Sequence, residues 1–206
     1  MECWDCTAAI EPAEAFCPAC RKIQPLGAAV DHFALLGVPR RHRLAAEELE
    51  RCFRDRSRQL HPDRFARASP RERRLSLDRT TRLNDAFRTL KDDRRRADYL
   101  LRLAGHDPVA EARSLHDPEF LEAQLSTRER LAVARAEGDQ ATLRQIGEEA
   151  KAHLAELDRE VAALFLEQEG GQDRHAEIVR RLSRARYYEN IQSEAQGGGH
   201  VGCPTS

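Results

Sequence analysis

Four cysteines open the chain in two close pairs, Cys3-Trp4-Asp5-Cys6 and Cys17-Pro18-Ala19-Cys20, with ten residues between them. Two such pairs brought together offer four thiolates at tetrahedral reach, the donor set of a structural Zn²⁺ site. The spacer is too short to build a core, so a metal held there would supply most of the local folding energy, roughly 10–16 kcal/mol. A closed four-sulfur site leaves no position for substrate. The spacing therefore predicts a structural role for Zn²⁺ on Cys3, Cys6, Cys17 and Cys20. A redox dithiol is the competing chemistry, because one C-x-x-C suffices for it, but no βαβ pattern surrounds these pairs. Cys52 and Cys203 have no spaced partner and are assigned no role.

The second constellation is His61-Pro62-Asp63. Proline fixes its own φ near −65°, donates no hydrogen bond, and pushes the preceding residue away from helical angles. A helix arriving from the N-terminal side should stop at about Leu60, leaving the imidazole and the carboxylate on a rigid turn. An exposed carboxylate among arginines is a poor core element and a good recognition handle, since a partner's arginine can pair with it bidentately.

Helices must position both features. Leu49, Phe53 and Leu60 precede the turn, and Leu83, Phe87 and Leu90 follow it, at spacings that fall on one helical face. Two such faces joined by a turn can bury each other as an antiparallel hairpin. The first of these helices should run from about Leu44 to Leu60, with Arg51, Arg54 and Arg58 along one side. The second should start at Ser69-Pro70-Arg71-Glu72, where Ser69 caps, Pro70 takes the first helical position and Glu72 reaches back as in a capping box. It should end near Lys91. A short helix from about Asp31 to Leu36, stopped by Gly37 and Pro39, comes before the hairpin. Another, from about Arg94 to Ala104, comes after it and ends at Gly105.

Asp117-Pro118 repeats the cap-plus-proline signal. A helix carrying Leu121, Leu125, Leu131 and Ala132 should stop at Gly138. The next opens at Asp139 and carries Leu143, Ile146, Ala150, Leu154, Leu157, Val161 and Leu164, a seam of threes and fours that ends at Gly170-Gly171. A third begins near Asp173 with the stripe Ile178, Leu182 and Ala185. Short loops make the three antiparallel neighbours in a small bundle. At 100° per residue, Tyr187 and Ile191 lie nearly opposite that stripe, which fits either a partner surface or a buried stripe that drifts toward the helix end. The expected segments are a cysteine element at 1–24, a linker at 25–30, a hairpin domain at 31–106, the bundle at 107–193 and a disordered tail at 194–206.

Composition agrees with an all-α protein: charged residues make up 33% and aromatics 5%, with almost no β-branched runs. A net charge of −1 names no nucleic-acid or membrane partner. The distribution says more. Residues 40–74 hold 12 Arg against 6 Asp/Glu, and residues 111–170 hold 7 Lys/Arg against 14 Asp/Glu, so two different partner surfaces are expected. No apolar stretch approaches the roughly 20 residues of a membrane span, and the start lacks signal- or transit-peptide character. A cytoplasmic protein is expected. Acidic residues surround the cysteines, against a zinc-ribbon nucleic-acid binder, and no nucleophile–base constellation suggests an enzyme.

Asp31-His32-Phe33-Ala34-Leu35-Leu36-Gly37-Val38, the His-Pro-Asp turn, and Asn84-Asp85-Ala86-Phe87-Arg88-Thr89-Leu90-Lys91 together resemble a J domain. Three further segments, Arg96-Ala97-Asp98-Tyr99-Leu100-Leu101-Arg102-Leu103-Ala104-Gly105, Phe120–Glu129 and Arg186–Ile191, extend the resemblance to the HscB-type co-chaperones of iron–sulfur cluster assembly. The Cys-Trp-x-Cys and Phe-Cys-Pro-x-Cys start resembles the metal-binding extension of that family's eukaryotic members.

The resemblance implies an adaptor with two partners. His61, Pro62, Asp63 and the basic helix with Arg51, Arg54 and Arg58 would engage a DnaK/HscA-class 70-kDa heat-shock chaperone and stimulate its ATPase. The bundle would hold the Fe–S scaffold protein through Leu121, Leu125, Glu129 and Tyr187. The family's binding patch is richer in apolar and acidic groups, whereas Glu122 and Ser126 stand at its neighbouring positions here. A general J protein delivering unfolded clients is the alternative.

Overall fold

The computed structural model describes residues 1–114 and 117–197. The chain divides into two compact units, Met1–Leu100 and Leu101–Ser206. Among the described residues the regular structure is helical, and the only other pairing is two isolated antiparallel bridges, Glu2 with Ala9 and Phe16 with Ile23.

In the first unit, α1 (His32–Leu36) is capped by the Asp31 carboxylate, which accepts from the Ala34 N–H at 2.8 Å. It is closed by Gly37 at φ 67°, a left-handed conformation that suits a residue without a Cβ. α2 (Ala46–Leu60) and α3 (Pro70–Lys91) form the expected hairpin. Leu49, Leu60, Leu83 and Leu90 are buried between them, and the rings of Phe53 and Phe87 stack at 4.1 Å. Such a ring pair contributes about 0.5–1.5 kcal/mol beyond its buried area. The capping box forms: Ser69 Oγ accepts from the Glu72 N–H, and the Glu72 carboxylate accepts from the Ser69 N–H. α4 (Asp93–Leu103) begins in this unit.

The cysteine element packs into the same unit. Arg79, at the middle of α3, has lost almost all exposure and gives its guanidinium to four backbone carbonyls of residues 13–25. Around that anchor, Lys22 pairs with Glu72 at 3.3 Å, the Arg71 guanidinium lies 4.3 Å over the Trp4 ring, and Phe16 stacks on Phe65.

The second unit contains α5 (Pro108–Ser114), α6 (Pro118–Glu137), α7 (Gln140–Glu169) and α8 (His175–Ala195). The sequence pattern did not point to α5, a two-turn helix that packs on α8. α6 is capped by Asp117 and ended by Gly138 at φ 70°, and α7 by Asp139 at its start. The α7 seam is buried at Leu143, Ile146, Ala150, Leu154, Leu157 and Val161, but Phe165 rather than Leu164 continues it. On α6, Leu131 and Ala134 are buried and Ala132 faces solvent.

α8 departs most from expectation. Tyr187 and Ile191 are buried together with Ile178, Leu182 and Ala185, so the helix is covered on two opposite faces. They join Leu131, Ala134, Leu143, Ile146 and Ala150 in one apolar cluster. α8 also runs to Ala195, past the expected end of the bundle. The remainder of the expected tail, from residue 198, and Cys203 lie outside the described residues.

Candidate functional sites

The four sulfurs of Cys3, Cys6, Cys17 and Cys20 lie within 4.8 Å of one another, with Cys3 3.6 Å from Cys20 and Cys6 3.6 Å from Cys17. A disulfide requires about 2.0 Å, whereas sulfurs around a tetrahedral ion with bonds of about 2.3 Å sit about 3.8 Å apart. The residues fit a metal. Two matching turns build the site. The Thr7 N–H donates to the Cys3 carbonyl and the Arg21 N–H to the Cys17 carbonyl, while the Cys3 and Cys17 N–H groups donate to Ala8 and Lys22. Thr7 and Arg21, the equivalent residues of the two turns, both take left-handed angles, at φ 61° and 63°. This costs a side-chain-bearing residue energy that the surrounding site must hold. Burial opposes ionisation of Cys3, but backbone N–H groups of Cys6 and Asp5 and the neighbouring thiols bring it down to about 6. The Lys22 backbone N–H favours the Cys20 thiolate, but burial and the other thiols together push it up to about 12. Four thiolates this close repel one another unless a cation sits between them.

His61 ends α2 with φ −55° and ψ 130°, the extended angles that a following proline demands. Pro62–Phe65 then forms one turn of 3₁₀ helix. His61 Nδ1 accepts from the Asp63 N–H at 3.3 Å, so the imidazole caps the turn from which the Asp63 carboxylate projects, 90% exposed. The turn is held from beneath. Leu60 O accepts from Ser76 Oγ at 2.6 Å and from Thr80 Oγ1 at 3.2 Å, giving the end of α2 two partners on α3. Phe65, buried, closes the other end. Arg51, Arg54 and Arg58 are all exposed on α2; Arg54 pairs with Glu50 and Arg58 with Asp55 within the helix.

On α6, Leu121 and Leu125 are each 60% exposed and Glu129 is exposed. Val133, 55% exposed, continues the same i+4 row, and the sequence reading missed it because nothing local separates it from the buried Leu131 and Ala134. Tyr187 does not share this surface as periodicity suggested. It is 9% exposed, its ring meets Phe120 edge-on at 5.5 Å, and its hydroxyl donates to the Gln124 carbonyl at 3.1 Å. Its place is beneath the first turns of α6, where it fixes the helix that carries Leu121 and Leu125. The other residues missed are Ser76, Thr80 and Arg79, polar positions whose spacing carries no signal because their partners lie 16 to 66 residues away.

A DnaJ domain model matches residues 31–99, and a model described as the HSCB C-terminal oligomerisation domain matches residues 116–196. A co-chaperone protein HscB homolog of Aromatoleum aromaticum is 38% identical over 169 residues, covering 80% of this chain and 90% of that protein. The crystal structure of human co-chaperone protein HscB superposes with a TM-score of 0.84 at 28% identity, covering 95% of this chain and 97% of that one. That coverage is too great for residues 1–24 to lie wholly outside the match. The chaperone HscB from Vibrio cholerae gives a TM-score of 0.67 at 28% identity over 82% of this chain and 96% of its own.

Proposed function

Because this chain belongs to the HscB co-chaperone family, we propose that it serves iron–sulfur cluster assembly by joining a DnaK/HscA-class 70-kDa chaperone to the Fe–S scaffold protein. It is an adaptor without chemistry of its own, whose J domain acts on the ATPase of an Hsp70-class partner.

The observation that carries this reading is the Asp63 carboxylate, almost wholly exposed on a turn fixed by His61, Pro62, Ser76 and Thr80. Because the turn beneath it is already ordered, this carboxylate can meet a cationic group of the chaperone with little further ordering of the backbone. Arg51, Arg54 and Arg58 would face acidic groups of the same partner and speed the encounter.

On the bundle, Leu121, Leu125 and Glu129 would bind the scaffold, with Val133 extending the row and Tyr187 supporting it from below. Two exposed leucines one turn apart leave apolar area that a partner can cover, at about 25 cal/mol per Å². Carrying both partners on one chain raises their effective concentration toward each other. Cys3, Cys6, Cys17 and Cys20 would hold Zn²⁺ as a structural ion, which neutralises the thiolates and closes the two turns.

The test is single-turnover ATP hydrolysis by the cognate chaperone, with and without scaffold, for wild type and His61→Gln. Stimulation that requires His61 and rises further with scaffold is expected. Stimulation indifferent to scaffold would leave a general J protein delivering unfolded clients, and none at all would remove the chaperone assignment.

A further inference from the structure

A second group of metal-ligating side chains lies in the unit formed by Leu101–Ser206, apart from the cysteines and from the exposed row of α6. His106 sits between α4 and α5, Glu111 on α5, and His175 is the first residue of α8. One ligand atom from each lies within 4.8 Å of the others. We propose that His106, Glu111 and His175 form a binding site for a divalent first-row transition cation of the Zn²⁺ or Ni²⁺ kind.

The donor set is the first argument. Two imidazole nitrogens and one carboxylate oxygen suit borderline cations and not Mg²⁺ or Ca²⁺, which take oxygen ligands. The second argument is the arrangement behind the ligands. Asp173 Oδ1 lies 2.5 Å from His175 Nδ1, and an Nδ1–H donated to that carboxylate would keep the other ring nitrogen, Nε2, as the metal-binding lone pair, the carboxylate–histidine pattern that orients metal-binding imidazoles. Glu111 is oriented from outside the ligand set by the Asp107 N–H, which donates to its Oε1 at 3.1 Å, and the same oxygen lies 3.2 Å from His106 Nδ1, so two of the three ligands already meet.

Access is the third argument. The three side chains are 30% to 36% exposed, so an ion can enter and water can complete its coordination. The two imidazoles stack at 4.1 Å with their planes 16° apart, so their in-plane lone pairs run nearly parallel and one ring must turn out of the stack for both to reach the same ion. An ion would tie the segment before α5 to the start of α8. Three protein ligands and open positions make this an exchangeable site, unlike the closed four-sulfur one.

The experiment uses the full chain with its cysteines already loaded, titrated with Zn²⁺ by calorimetry while the histidine ring resonances are followed by NMR. The expected result is one further equivalent of Zn²⁺, with the His106 and His175 resonances moving and that of His153 fixed. His106→Ala and His175→Ala should each abolish that equivalent, and Asp173→Asn should weaken it about 10–100-fold while leaving the three ligands intact. With the cysteines loaded and no further Zn²⁺ added, helix content and thermal midpoint should match wild type in every variant, since the altered groups are at least part-exposed. No further equivalent in wild type, or one that persists in His175→Ala, overturns the site.

Discussion

Arg79 and Gln24, both fully buried, are joined by a 2.6 Å hydrogen bond from the guanidinium Nε to the backbone carbonyl. The same guanidinium reaches Glu14 O at 2.5 Å, Pro25 O at 3.0 Å and Ala13 O at 3.4 Å, so one side chain of α3 satisfies both the loop between the two cysteine pairs and the segment that follows the second. Gln24 in turn accepts from the Trp4 N–H and donates to Lys22 O. The J-domain helix and the cysteine element therefore share a buried polar centre, and each is a condition of the other's packing.

Arg79→Ala should unfold that contact. Burial lowers the Arg79 pKa to about 10, still charged at neutral pH, so its removal takes away a charged donor and leaves buried carbonyls unpaired. A loss of about 3 kcal/mol or more is expected. Trp4 is the chain's only tryptophan and reports on the element directly. Its fluorescence transition in urea should move to lower denaturant in Arg79→Ala, and removing metal with a chelator should move it in the same direction. An unchanged midpoint in the variant would contradict the anchoring role.

Exposure at the turn predicts that function and stability separate. His61→Gln and Asp63→Asn should bring chaperone stimulation to the basal rate while changing unfolding free energy by no more than about 0.5 kcal/mol. Ser76→Ala should do the reverse in part. It removes the 2.6 Å bond to Leu60 O, so a cost of about 1 kcal/mol is expected together with incomplete loss of stimulation, because Thr80 still holds the carbonyl. Urea unfolding and single-turnover hydrolysis on the same preparations would decide it.

For the bundle, Leu121→Ala with Leu125→Ala should weaken scaffold binding at least tenfold and leave thermal stability nearly unchanged, because both side chains stand in solvent. Tyr187→Phe should instead lose about 1 kcal/mol of stability through its bond to Gln124 O, with a smaller effect on affinity. Titration calorimetry with the scaffold separates the two roles. A larger affinity loss for Tyr187→Phe than for the double leucine variant would show that Tyr187 contacts the partner itself.

Acid should act through Asp117. The Arg184 guanidinium bonds to its carboxylate and, with the Phe120 N–H that it caps, holds its pKa below the usual range, whereas burial works the other way. Because the folded value is lower than the unfolded one, the stabilisation is complete above about pH 4, the ordinary carboxylate value. It fades as pH falls further, through the folded value. The stability difference between wild type and Asp117→Asn should accordingly stay flat from pH 7 to about 5 and shrink below about 4. A difference that remained constant down to pH 3 would dismiss the pair.

Because each acts on backbone angles within a few residues of itself, proline, glycine and capping residues marked every helix of the two units except α5, whose own Asp107-Pro108 start was overlooked. Pro62 ended α2 at Leu60, Ser69 and Pro70 began α3, and Gly138 closed α6. The paired cysteines were legible for the same reason, since their spacing alone brings four sulfurs within reach. Periodicity was less informative where a helix has more than one neighbour. It identified the stripe of Ile178, Leu182 and Ala185 but left Tyr187 and Ile191 on the open side, and only the packing of α8 against both α6 and α7 buried them. It placed Leu131 and Ala132 together and passed over Val133, and the neighbouring helices covered only Leu131 and left Ala132 and Val133 exposed. Arg79 is the clearest case: an arginine in a polar run, buried because four carbonyls from a distant loop converge on it. Local backbone angles and short spacings are written in neighbouring residues and could be read there; burial could not, because it depends on which second surface arrives, and that surface is made by residues far along the chain.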